Sequence, residues 1–355
     1  MDNIYRDIAG RTGGDIYIGV VGPVRTGKST FIKKFMEALV LPNIEGEYDR
    51  RRARDEMPQS GAGKAVMTTE PKFIPDEAVN ITVDGDATLR VKMVDCVGYI
   101  VPDATGQTEN GEPRMVLTPW SASPMPFPAA AEMGTRKVIT DHATIGVVVT
   151  TDGSIGDIPR ESYADAERRV VEELRSIAKP FAIVLNSADP AKPEAEALAY
   201  ELESRYGVPV ALVNCLELNA DDIRHILELI LLEFPVTEIS VGLPRWTAAL
   251  EADHWLSASL RAAVLECAGK ITRTGDIRSA FAPLAENENI ESARVSKLDL
   301  SSGQAELDIK LDEGLYYRVM SELTGFSIPN EEELISLMRR LAEIKTAYDK
   351  VAGAL

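Results

Sequence analysis

Cysteine is scarce in this chain: 355 residues hold three, Cys96, Cys215 and Cys267. Their odd number and wide spacing fit neither a disulfide framework nor a four-ligand zinc site, and they read as reduced packing residues. The histidines His142, His225 and His254 form no ligand-spaced cluster and read as structural, which disfavours a histidine-centred metal site or general base. No window approaches 18 unbroken apolar residues, so no transmembrane helix is expected. The N-terminus, MDNIYRDIAGRTGGD, has neither the basic nor the apolar stretch of a secretory signal, and a cytoplasmic location is expected. Positive charge is short as well. Lys and Arg number 38 against 56 Asp and Glu, a net charge of -18, and such a surface repels a phosphate backbone and disfavours general nucleic-acid binding. There is no fixed-period repeat and no low-complexity tract.

What is present is the composition of a soluble globular protein, 45% hydrophobic and 26% charged. The length exceeds the roughly 100–200 residues of one domain, so two are expected. DIYIGVVG (15–22), TIGVVVTT, FAIVLN and VPVALVN read as buried strands. Helical spacing follows through Phe31, Phe35 and Leu39, then Ala166, Val170, Leu174 and Ile177, then residues 192–206. This alternation predicts a largely parallel, doubly wound α/β sheet. Residues 79–84 and 88–95 alternate about Asp84-Gly85 and predict a hairpin whose second strand ends at Asp95. Near residue 240 the pattern changes, giving an expected nucleotide-binding domain over 1–238 and a smaller α+β domain over 239–355. The second has an amphipathic helix through Leu250, Leu256, Leu260 and Val264, a hairpin at Ser302-Gly303, and a final helix whose stripe Leu334, Leu337, Leu341, Ile344 and Tyr348 reads as core.

Between the first strand and helix stands Gly22-Pro23-Val24-Arg25-Thr26-Gly27-Lys28-Ser29, a complete G-x-x-x-x-G-K-S. The glycines let backbone N–H groups face phosphates, Lys28 supplies a cation to the β and γ oxygens, and the helix start adds its dipole. Ser29 is the expected Mg²⁺ ligand, and Thr26, Gly27 and Thr30 belong to the same nucleotide-binding run. Asp95-Cys96-Val97-Gly98 then places a carboxylate for the magnesium shell and a glycine N–H for the γ-phosphate. Thr68 and Thr69, in a loop before the hairpin, are candidate switch threonines, with Thr69 as a possible metal ligand. Gly61-Ala62-Gly63-Lys64 lacks a preceding strand and reads as loop, with Lys64 near the nucleotide.

Asn186-Ser187-Ala188-Asp189 stands where GTP-binding members of this fold carry Asn-Lys-x-Asp. Without the lysine stem the base is less covered, yet Asp189 can still accept from guanine N1 and N2, so the base stays open on these residues. Tyr99 follows the D-x-x-G where many such enzymes place a water-orienting glutamine, and this predicts slow or differently assisted hydrolysis. Two readings are open for Arg25: a built-in arginine finger on the phosphates, or a solvated loop arginine.

GDIYIGVVGPVRTGKSTFIKKFMEALVLPNI, MTTEPKFIP, VDCVGYIVP, TPW (118–120), GTRKVITDHATIGVVVTTDGSIGDIPR and ADHWL together closely resemble the stage IV sporulation protein A family of endospore-forming bacteria, along the whole chain. The resemblance implies a P-loop NTPase fold of the TRAFAC GTPase-like kind that uses ATP and Mg²⁺. It implies hydrolysis that drives self-assembly into a homopolymer, the basement scaffold of the spore coat. It carries nucleotide and Mg²⁺ roles to Lys28 and Ser29, sensor roles to Thr68 and Thr69, the magnesium-linked carboxylate to Asp95, and a loop arginine to Arg25. It also implies partners, namely a small amphipathic coat-anchoring peptide and other coat proteins, and a place in the mother cell at the outer forespore membrane. Family members continue into a C-terminal membrane-anchoring region, which is expected to be absent here. The alternative is a GTP-binding regulatory switch that does not polymerise.

Overall fold

The computed structural model describes residues 3–58, 71–85, 87–104, 108–109, 112–118, 121 and 123–352. Contacts divide the chain into two units, Met1–Pro235 with Leu300–Gly303, and Val236–Asp299 with Gln304–Leu355.

In the first unit the β-branched runs become strands β1 (Asp15–Val21), β2 (Lys72–Val83), β3 (Ala87–Asp95), β4 (Ile145–Thr151), β5 (Phe181–Asn186) and β6 (Val210–Val213). They form a six-stranded sheet in the order β6-β5-β4-β1-β3-β2. The five strands from β6 to β3 run parallel, and β2 adds an antiparallel edge. The hairpin makes that edge: Asp84 and Gly85 take φ of 52° and 81°, a left-handed turn that carries Val83 opposite Ala87. Parallel neighbours need long crossovers instead. These contain helices α2 (Lys28–Phe35), α3 (Glu47–Asp55), α4 (Phe127–His142), α5 (Ala164–Ser176) and α6 (Pro193–Tyr206), while α1 (Ile4–Thr12) precedes β1 and α7 (Ala220–Leu232) follows β6.

The period-2 alternation of the strands sends side chains into two apolar clusters, one on each face. Ala182 and Val184 of β5 join the cluster packed by Ile8, Phe31, Phe35 and Ile226, whereas Ile183 and Leu185 join that of Val170, Leu174 and Leu202. Helices therefore cover both faces, and strand residues such as Ile183 and Val148 are fully buried. Every parallel strand points its C-terminal end to the same edge, so the loops leaving β1, β3, β4, β5 and β6 gather there.

The second unit has a three-stranded sheet of β7 (Glu238–Gly242), β8 (Ile290–Asp299) and β9 (Gln304–Leu311) in the order β7-β9-β8. Helices α8 (Trp255–Ala268), α9 (Ile277–Phe281) and α10 (Glu313–Thr324) supply Leu256, Phe281 and Val319 to a core with Leu307 and Ile309; α11 (Glu331–Val351) follows. Two expectations are corrected here. Leu250 ends a short 3₁₀ turn, Arg245–Ala249, ahead of α8 rather than lying on it. The stripe of α11 is not core: Leu334 and Leu337 are half-buried, while Leu341, Ile344 and Tyr348 are 36%, 61% and 58% exposed. A 3.6-residue period records that one helix face is apolar and says nothing about what covers it. The core of this unit closes on α8, α9 and α10 without it.

Truncation should separate the two kinds of apolar position. Ile183→Ala is expected to lower unfolding free energy by about 2–5 kcal/mol, and Ile344→Ala to change it by less than about 0.5 kcal/mol, both read from denaturant midpoints at constant slope.

Candidate functional site

The loop from Gly22 to Gly27 leaves β1 and enters α2, whose N-cap is Gly27 and whose first residue is Lys28. Close packing dictates its first glycine. Gly22 has φ of 135°, and a Cβ there would lie 2.2 Å from the Val149 carbonyl oxygen of neighbouring β4, a distance no side chain tolerates. Thr26 is buried and donates its hydroxyl to the Pro23 carbonyl at 3.0 Å, so the loop is braced internally. Arg25 sits half-buried at φ of 66° in the bend. Its charge opposes the burial that pushes the Tyr163 hydroxyl up. Thr30 is half-buried in the first turn of α2.

Three side chains converge beneath this loop. The Lys28 ammonium is buried and donates to the carbonyls of Pro23 at 2.7 Å and Gly22 at 3.5 Å. Burial lowers its pKa to about 8, against the opposing pull of Asp95. The Ser29 hydroxyl donates to Asp95 Oδ2 at 2.6 Å. Burial pushes the Asp95 carboxyl up, while the Ser29 hydrogen bond and the Lys28 charge oppose it. A buried cation held mainly by carbonyls, beside a hydroxyl and carboxylate in contact, has the chemistry that a phosphate with a hard divalent ion requires. These donors fit Mg²⁺ and a triphosphate. Among the described residues no group of three or more His, Cys, Asp and Glu could hold a metal ion.

Gly98 closes the other wall. At φ of 93° its Cβ position would fall 2.5 Å from Lys28 Nζ and 2.7 Å from the Gly22 carbonyl oxygen, so the D-x-x-G backbone lies directly against the Gly22–Gly27 loop. Tyr99 locks that approach: its N–H donates to Gly22 O at 3.1 Å and its carbonyl accepts Val24 N–H at 2.8 Å. Its ring is 3% exposed and packs with Val21, Val24 and Val101, with the Arg169 guanidinium 5.5 Å from its centroid. The hydroxyl is buried without a hydrogen-bond partner among the described residues. Tyr99 therefore occupies the core, a role that the absence of a glutamine after D-x-x-G does not reveal.

Asn186 is 4% exposed and uses both ends of its amide. Nδ2 donates to Thr26 O at 3.0 Å, and Oδ1 accepts Cys215 N–H at 3.0 Å. Asp189 is exposed at the end of the same turn, its N–H donating to Ser187 Oγ at 3.1 Å. The structure thus brings Gly22, Lys28, Ser29, Asp95 and Gly98 together, with Asn186 bonded to Thr26. Thr68, Thr69 and Lys64 lie outside the described residues, as does Trp120. Contacts that leave no motif in the sequence are Tyr99 on the Gly22–Gly27 loop and a carboxylate, Asp152, that receives the Ser187 hydroxyl at 2.6 Å. The three cysteines are buried free thiols. The His142 ring packs edge-on against Phe73, and His254 Nδ1 accepts the Leu256 N–H at the start of α8. No helix among the described residues is long and apolar enough to cross a membrane.

Residues 1–235 match the family model described as stage IV sporulation protein A, ATPase domain, and residues 236–355 match that of its middle domain. The stage IV sporulation protein A of Clostridioides difficile (strain 630) is 48% identical over 354 residues, covering 100% of this chain and 72% of that protein. That of Bacillus subtilis (strain 168) is 49% identical over 353 residues, covering 99% and 72% respectively. The same span of the Bacillus anthracis protein is 48% identical. On both grounds the chain belongs to the stage IV sporulation protein A family.

Proposed function

We propose that the chain is a Mg²⁺-dependent ATP hydrolase of the P-loop, GTPase-like kind, whose turnover drives self-assembly into a scaffold for the spore coat. The observation that carries this reading is the contact of Ser29 with Asp95 at 2.6 Å beside the buried Lys28 ammonium. In this reading residues 1–238 form the nucleotide-binding domain and 239–355 a middle α+β domain.

Each residue then has a task. Lys28 turns from the Pro23 carbonyl to the β- and γ-phosphate oxygens, and the Gly98 N–H meets a γ oxygen. Ser29 and Asp95 hold Mg²⁺, which when bound neutralises charge on the β and γ oxygens; Thr68 and Thr69 are the sensor pair, with Thr69 also on the metal. Gly22, Thr26, Gly27 and Thr30 line the phosphate run, and Arg25 reaches toward the same oxygens. Asn186 and Asp189 belong to the base side. Slow turnover is supported by Tyr99: with its ring in the core, the residue after Gly98 offers nothing to orient an attacking water. Partners are further copies of the chain, a small amphipathic anchoring peptide and other coat proteins. The place of action is the mother-cell cytoplasm at the outer forespore membrane.

A second reading, a GTP switch that does not assemble, has one observation in its favour: the exposed Asp189 is free to accept from guanine N1 and N2. Against it stands Tyr99, whose buried ring and two backbone bonds oppose the movement of the D-x-x-G segment on which such a switch relies.

Parallel binding, turnover and light scattering with ATP or GTP and Mg²⁺ separate the readings. ATP-selective, slow turnover accompanied by scattering is expected; GTP selectivity without scattering would replace the ATPase by the switch. Lys28→Ala should weaken ATP binding on the order of tenfold to a hundredfold in calorimetry, because a fixed cation to the phosphates is lost. Undiminished affinity would remove the site assignment. Gly98→Ala should weaken ATP by at least about tenfold, since a left-handed alanine against Lys28 and Gly22 strains both walls. Wild-type affinity in that variant would take the D-x-x-G out of the site.

A further inference from the structure

The run Thr150–Ile158, TTDGSIGDI, has no part in the phosphate and metal chemistry described above, yet it is bonded to the base side of the site. Asp152 follows β4. Its Oδ2 accepts the Ser187 hydroxyl at 2.6 Å, and its Oδ1 accepts the N–H of Ser154 at 2.9 Å and the Ser154 hydroxyl at 2.6 Å. Each hydroxyl passes the constraint on. Ser154 Oγ accepts the Ala188 N–H at 2.8 Å, and Ser187 Oγ accepts the Asp189 N–H at 3.1 Å. One carboxylate thereby fixes, through two serines, both amides of the turn that ends in Asp189. Burial pushes the Asp152 carboxyl up, but the bonds from Ser154 and Ser187 outweigh it and hold it below its ordinary range, so it stays a charged acceptor at neutral pH.

The loop bearing Asp152 is itself clamped at both ends. Thr150 donates its hydroxyl to Glu167 Oε2 at 2.6 Å, and Arg160 forks onto the same carboxylate at 2.8 and 3.0 Å. Glu167 is fully buried and also accepts the Tyr206 hydroxyl at 3.0 Å. A charge so paired and so fully bonded is costly to move. Asp152 is thus a fixed point, and the turn hung on it inherits that rigidity.

Position 187 explains the need. A lysine there would brace the turn and cover the base with its stem, whereas serine ends after one carbon and must be held from elsewhere. The geometry points to Asp152 as the positioning residue for base recognition, holding the 187–189 turn against the purine of a bound nucleoside triphosphate. This rests on the nucleotide-site reading above and extends it from the phosphates to the base.

The test compares ATP with inorganic tripolyphosphate, which lacks a base, on the full chain. Asp152→Ala and Ser187→Ala should each weaken ATP about tenfold while tripolyphosphate binds as to the unsubstituted chain. KM for ATP should rise by a similar factor with turnover at saturation retained. Lys28→Ala in the same titrations should weaken both ligands. If Lys28→Ala weakens neither, the nucleotide site itself is wrong and the inference falls with it. If Lys28→Ala weakens both, while Asp152→Ala and Ser187→Ala change neither ligand or both alike, Asp152 has no role at the base and the inference alone is overturned. Ser187→Ala removes a single hydroxyl, so it decides the matter even if Asp152→Ala fails to fold.

Discussion

The side-chain amide of Asn186 is the tie on which the candidate site depends. Parallel strands must leave the sheet at one edge, and the loops that follow carry backbone groups that no ladder satisfies. Asn186 answers two of them from a buried position: Nδ2 donates to the Thr26 carbonyl of the Gly22–Gly27 loop, and Oδ1 accepts the Cys215 N–H beyond β6. Leaving either unmet inside the protein costs about 1–3 kcal/mol. The loops after β1, β5 and β6 are therefore fixed relative to one another, and the loop after β4 joins them through Asp152 and Ser187. The loop after β3 arrives by another route, the two backbone bonds of Tyr99 with Gly22 and Val24.

Much of this was legible in the chain before any coordinates. The six-stranded sheet follows from buried β-branched runs alternating with helical spacing, and Asp84-Gly85 marks its antiparallel edge because both residues tolerate positive φ. That Lys28, Ser29 and Asp95 lie together could be read from spacing, since a G-x-x-x-x-G-K-S between strand and helix fixes the direction of each. Spacing did not reveal Asp152. Its partner lies 35 positions away, and a bond between two loops leaves no periodic trace. The α11 stripe failed for a different reason: amphipathicity is a property of the helix alone, and exposure depends on which neighbours the fold supplies.

Tyr99 shows how one substitution at a motif's edge changes what the site can do. A glutamine following D-x-x-G is polar and can face the phosphates; the tyrosine instead turns inward among Val21, Val24 and Val101. Extracting such a ring costs about 1.5–3 kcal/mol of burial, and breaking its two backbone bonds adds about 1 kcal/mol each. A single charge-assisted contact to a γ-phosphate returns about 1.5–3 kcal/mol. By these magnitudes a single phosphate contact returns less than the movement of residues 97–101 would cost. Under the proposed function, a site built in this way suits a reaction that commits a subunit to a fixed assembly better than one that cycles a surface open and closed, because the Gly98–Tyr99 segment is held by the core.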